Sequence, residues 1–136
     1  AGWMKIYTSY FGMLRKLERA GIEPVAICRG KPKWFKGRCL DRLAPTWLMM
    51  QMQLPEFWES YAEMLEHMDA REVAESLWKW RRRGCKAVAM VCYEKDAAEC
   101  HRHVVADWMT KAGIEVVEWE PSEKCVVQKG LQMTLF

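Results

Sequence analysis

Residues 87–93 read AVAMVCY, and this stretch decides the fold. It lacks the polar–apolar alternation of a strand with one wet face. A short apolar run of this kind suits a strand buried on both faces, as in a parallel sheet covered by helices. Working outward, CHRHVVADWMTKAG has helical spacing and is followed by IEVVEW at 114–119, so the three segments read as strand, helix, strand. On the other side, Asp69 with Glu72 opens a helix expected to run to Arg83 and to stop at Gly84. Earlier still, MKIYT and PVAIC (24–28) flank YFGMLRKLERAG, in which Leu14 and Leu17 share a face and Gly21 is the stop. That is a second βαβ unit. The expected fold is α/β and three-layered, a mostly parallel sheet of about four or five strands with helices on both faces.

The chain has 136 residues, which suits one domain with a real core. We expect a single α/β domain over 4–120 and a C-terminal tail over 121–136, with a short strand near Val126. Leu54-Pro55 opens another helix, where proline is tolerated in the first turn. No run approaches the roughly 20 apolar residues of a membrane span, and the start has no apolar signal-peptide region. A cytoplasmic protein with no membrane partner is expected. The net charge of +3 is too small to imply nucleic-acid binding by itself. Six cysteines occur without a CxxC pair, so neither a zinc ribbon nor a thioredoxin motif is present and free thiols are expected.

In an open α/β sheet, ligands bind beyond the carboxyl ends of the strands. CYEKDAAECHRH, residues 92–103, lies at such a point. With Asp96 and Glu99 as a capping box, His101 faces the sheet with Val104 and Trp108. Cys100 then lies on the flank of that face, Arg102 near the opposite rim, and His103 outward toward Asp107. A thiol at a helix start beside His and Arg has the surroundings that favour a nucleophilic thiolate. The same residues also suit a small buried hydrophobe and a hydrogen-bonded core histidine. The catalytic candidates are Cys100, His101 and Glu94, and the ligand-binding candidates here are Arg102 and Cys92. A metal set of Cys92, Cys100, His101 and His103 is disfavoured, because adjacent helical residues diverge by about 100°. No metal or other cofactor is expected.

Thr8 and Ser9 end the first strand and Arg29 leaves the second, on the same edge as Cys92 in a parallel sheet. Hydroxyls, arginines and helix N-termini together suit an anionic ligand such as a phosphate or nucleotide. Thr8 and Ser9 also suit simple capping of the following helix.

The blocks MKIYTSYFG, RGKPKWFKG, LAPTW and CYEK with CHRHVVADW, in that order, resemble the domain-of-unknown-function family 488 over roughly residues 4–119. The resemblance implies an α/β fold. Its pattern of a strand ending in Cys-x-Glu, followed by Cys-His-Arg opening a helix, is matched by Cys92, Glu94, Cys100, His101 and Arg102. It implies a site at these residues and supplies no substrate.

Two further stretches point to partners. Arg29, Lys31, Lys33, Lys36, Arg38 and Arg42 are interleaved with Trp34 and Phe35, a pattern that suits single-stranded nucleic acid and equally a solvated loop anchored by two core aromatics. The tail ends in QMTLF, which resembles the short motif that binds the bacterial sliding clamp, with Gln132, Leu135 and Phe136 as its matching residues. The alternative is that the tail docks on its own domain. The sequence thus points to a phosphorylated ligand, nucleotide or nucleic acid at a Cys/His/Arg site, with a cysteine nucleophile if it is an enzyme. A non-catalytic accessory protein of DNA metabolism, recruited to the clamp, is the other reading.

Overall fold

The computed structural model describes residues 4–95 and 100–121. In chain order its elements are β1 (Ile6–Tyr10), α1 (Leu14–Arg19), β2 (Ile22–Ala26), β3 (Arg38–Cys39), α2 (Leu54–Glu66), α3 (Ala70–Lys79), β4 (Ala87–Cys92), α4 (Arg102–Lys111) and β5 (Val116–Glu118), with short 3-10 turns between some of them. The five strands form one sheet in the order β3-β2-β4-β1-β5, parallel at every pairing.

The strand read from AVAMVCY lies at the centre, between β1 and β2, and all six of its residues are buried. Its side chains alternate between two cores. Val88 and Met90 join Ile6, Val25 and Val116 beneath α2, α3 and α4, where Tyr61, Leu77 and Val105 are fully buried. Ala87, Ala89 and Val91 face the other layer, formed by Leu17 of α1 with Phe11 and Phe35. The second layer has one helix, the six-residue α1, and the side chains that face it from β4 include the small Ala87 and Ala89. Burying a side chain such as Leu77 contributes about 1.5–3 kcal/mol.

Local chemistry sets the element ends. Asp69 caps α3 by accepting from the backbone N–H groups of Arg71 and Glu72, at 3.0 and 3.4 Å. Such a cap is worth about 1 kcal/mol. α3 stops at Lys79, four residues before the expected Arg83. The chain turns there because Glu23 of β2 is buried and accepts from both the backbone N–H and the Nε of Arg82, at 3.2 and 2.5 Å. β2 itself begins two residues earlier than expected and contains Pro24. Proline is tolerated there because β3 pairs only with Val25 and Ala26, leaving the first half of β2 as a sheet edge. Gly21, at φ 75°, makes the turn from α1 into β2 in a conformation that few other residues adopt.

No helix among the described residues is long and apolar enough to cross a membrane. The short strand expected near Val126 lies outside the described residues, as do Asp96 and Glu99 of the expected capping box.

Candidate functional site

Connections leave neighbouring strands toward opposite faces: β1 leads to α1 on one side and β4 leads to α4 on the other. A crevice opens where adjacent strands part in this way. The pocket itself, of about 360 Å³, lies on the other side of β4, at the carboxyl ends of β2 and β4. Its floor holds Cys92, Cys100 and His101, its sides Arg29 and Glu94, and much of its wall is methionine and aromatic, including Met49, Met52, Phe57 and Trp58.

His101 is fixed by three neighbours. Its Nε2 lies 2.6 Å from the carbonyl oxygen of Ile27, just past the end of β2. A carbonyl only accepts, so Nε2 carries the proton and Nδ1 turns its lone pair toward Cys100, whose Sγ is 3.8 Å away. The Tyr61 ring meets the imidazole edge-on at 5.1 Å, and the Tyr61 hydroxyl donates to the Leu43 carbonyl at 2.5 Å. Burial pushes the His101 pKa down to about 4, against a smaller opposing effect of the Ile27 bond. The ring is therefore neutral at physiological pH. It is a weak proton acceptor for a thiol, whereas a neutral lone pair is what a metal ligand requires.

The structure records a disulfide between Cys92 and Cys100, with their Cα atoms 7.5 Å apart. The expectation of free thiols holds for Cys28, Cys39 and Cys85 among the described residues and does not hold for this pair. The end of β4 and the turn before α4 bring the two sulfurs together. Cys92 Sγ, Cys100 Sγ and a His101 ring nitrogen all lie within 4.8 Å of one another. The geometric objection to a metal set rested on a helix running through Cys100 and His101. α4 begins only at Arg102, so both residues precede it and converge. Cys28 also lines the pocket, but burial raises its thiol to about 11, and it stays protonated.

Arg102 departs most from expectation. It is fully buried instead of standing at a rim. Its Nε and Nη2 donate to the two carboxylate oxygens of Glu118 at 3.0 and 2.9 Å. Nη1 donates to the Glu94 carbonyl at 2.5 Å and approaches Cys92 Sγ at 3.5 Å, and Nη2 also donates to the Lys95 carbonyl at 2.9 Å. The guanidinium thus ties the segment after β4 to the end of β5. Thr8 belongs to the same group, donating to Glu118 at 2.7 Å. Ser9 is fully buried, and its hydroxyl has no hydrogen-bond partner among the described residues. None of Arg102, Thr8 and Ser9 lines the pocket. His103 also differs: its Nδ1 meets the Cys100 carbonyl oxygen at 2.5 Å and its ring packs on Trp58, while Asp107 pairs with Lys111.

Sequence reasoning missed Glu118 and the pocket wall, made by the methionines before α2 and the aromatics within it. Glu118 had a signal, because it shares a strand face with Val116, which is buried, and an acid on a buried face calls for a cation. The methionines had none, since their spacing reads equally well as ordinary core.

The basic loop is mostly tied inward. Arg29 donates to the Pro45 carbonyl, Lys31 to the Phe35 carbonyl and Arg42 to Glu72, while Arg38 lies over Trp80. Phe35 is core and Trp34 is 61% exposed. Gln132, Leu135 and Phe136 lie outside the described residues.

The parallel sheet and the cysteine–histidine centre at its carboxyl edge define a small α/β domain of the open, helix-covered class. Within that class the chain belongs to the family described as domain of unknown function DUF488, whose model matches residues 23–109. The matched stretch contains RGKPKWFKG, LAPTW and both halves of the cysteine–histidine segment, and it leaves MKIYTSYFG outside. Comparison with curated proteins and with solved structures gave no match.

Proposed function

We propose that the pocket at the ends of β2 and β4 binds a small phosphorylated ligand of the nucleotide class, with Arg29 holding the anion and the aromatic wall taking the ring. The observation that carries this reading is that Arg29, Cys92, Glu94, Cys100 and His101, five of the residues singled out from sequence, line one pocket of about 360 Å³. That volume lies within the range of small-molecule sites.

Arg29 is the cation available to an anion. Its Nε is committed to Pro45, while its terminal nitrogens have no hydrogen-bond partner among the described residues. Trp47 lies 5.9 Å from its guanidinium and is 65% exposed. An arginine beside an open indole suits a phosphate attached to a stackable ring. Arg102 takes no part, because its donors serve Glu118 and the loop carbonyls.

Titration of the chain with adenosine and guanosine monophosphates, followed by tryptophan fluorescence, tests this. Saturable quenching is expected, weakened on the order of tenfold or more in Arg29→Ala, the loss of one charge-assisted contact. If neither nucleotide gives a saturable change, or if Arg29→Ala binds as well as the parent, the reading fails. Inorganic phosphate serves as the arm that reports anion binding without a ring.

A further inference from the structure

The floor of the pocket supports a more specific assignment. We propose that the reduced chain binds one Zn²⁺ ion through Cys92 Sγ, Cys100 Sγ and His101 Nδ1, with the fourth coordination position open to the pocket. The proposal depends on the nucleotide reading only for what meets the open position, and metal binding itself is measured without any nucleotide.

Four observations carry it. The two sulfurs and a ring nitrogen of His101 lie within 4.8 Å of one another, and Cys100 Sγ is 3.8 Å from His101 Nδ1. A tetrahedral zinc with bonds of about 2.3 Å to sulfur and about 2.0 Å to nitrogen places such a pair roughly 3.5 Å apart. Next, the ring nitrogen that faces the sulfurs is the one with the free lone pair, since Nε2 is bound to the Ile27 carbonyl. A carbonyl on the far nitrogen is the usual outer partner of a zinc-bound histidine, fixing both tautomer and orientation. Third, the Cα atoms of Cys92 and Cys100 are 7.5 Å apart, beyond the roughly 4.4–6.8 Å that half-cystines usually span. That separation suits two thiolates converging on an ion. Fourth, the charges balance: two thiolates neutralise the dication in a buried place, and Arg102 Nη1, 3.5 Å from Cys92 Sγ, supports the anionic sulfur.

The chemistry is closed. Opening the Cys92–Cys100 bond takes two electrons and two protons from a thiol reductant, which leaves as its own disulfide. Zinc then displaces one proton from each thiol to solvent, and His101 binds without losing a proton. Three protein ligands with one open position is the pattern of catalytic rather than structural zinc.

The test uses the full chain, reduced and metal-free, titrated with Co²⁺ and then Zn²⁺. A sulfur-to-cobalt charge-transfer band saturating at one ion per chain, and bleached by Zn²⁺, is the expected result. Cys92→Ser and Cys100→Ser should each weaken Zn²⁺ binding at least about 100-fold, more than the 10–100-fold typical of losing an outer partner. The paired variant Cys28→Ser, Cys39→Ser should bind as the parent does. Absence of the band in the reduced parent overturns the proposal without any variant, so a serine variant that fails to fold leaves it decidable. Loss of the band in the Cys28, Cys39 variant overturns it as well. Arg29→Ala separates the two readings, because it should keep the cobalt band while losing the nucleotide. A cobalt band without nucleotide binding removes the pocket reading and leaves the metal; nucleotide binding without a band does the reverse.

Discussion

Two arginine–glutamate pairs in this molecule share one geometry and differ in surroundings. Arg102 grips Glu118 with two hydrogen bonds of 3.0 and 2.9 Å, and Arg42 grips Glu72 with two of 2.9 and 3.0 Å. The Arg102 side chain is 0% exposed and Glu118 29%, whereas Arg42 and Glu72 are 42% and 52% exposed. Water can replace either partner of the second pair. For the first, removal of the guanidinium strands the Glu118 carboxylate together with the carbonyls of Glu94 and Lys95. Bond lengths alone therefore say little about the strength of an ion pair, and what the partners lose with it says more.

The largest effect should come from Arg102→Ala, which removes a fully buried guanidinium and should cost about 3 kcal/mol in urea unfolding, the low end for a buried pair because Glu118 is 29% exposed. A loss under about 1 kcal/mol would put the two pairs in one class and break the comparison. Next comes acid. In the metal-free chain His101 titrates near 4 when folded and near 6.5 when unfolded, so the unfolded state binds the proton first as pH falls. Stability present above pH 6.5 should decline through that window to below 4, by about 3 kcal/mol. A pH series of unfolding midpoints reads this, and His101→Gln should flatten it; a parent curve that is already flat would show that the ring is not buried as described.

A smaller loss, about 1–2 kcal/mol, is expected for Arg82→Ala, because Glu23 is buried while Arg82 is largely exposed and the Arg82 backbone N–H still serves the carboxylate. This half-buried pair sharpens the comparison by falling between the other two. Arg42→Ala should leave the unfolding midpoint unchanged within error. Its signature is local: Glu72, held below the usual carboxylate range first by Arg42 and then by Ser76, should titrate closer to its ordinary value by NMR. No movement of Glu72 would mean that the pair does not persist in solution.

The sheet was readable because its signals are local. AVAMVCY has no polar position to place in water, and Gly21 and Asp69 mark turns through their own backbone and side-chain chemistry. β3 was not readable, since two residues carry no alternation. At the site, Cys92, Cys100 and His101 could be picked out, but their roles depended on where α4 begins. A helix through Cys100 spreads these side chains, and a helix beginning at Arg102 lets them meet. Arg102 reads from sequence as a ligand-binding residue because its partner, Glu118, lies on β5, and the parallel pairing of β1 with β5 brings Thr8 and Glu118 into register.

The strand order also bears on how the chain assembles as it is made. Ile6 pairs with Val88 and Ile22 with Ala87, so β1 and β2, though early in the chain, are held apart by a strand synthesised much later. Closing loops of that length before any ladder forms is the slow part of such topologies. Until Ala87–Cys92 has left the ribosome, the first two strands have no central neighbour. The first cysteine of the pocket floor sits at the end of that same segment, and Cys100 and His101 follow it.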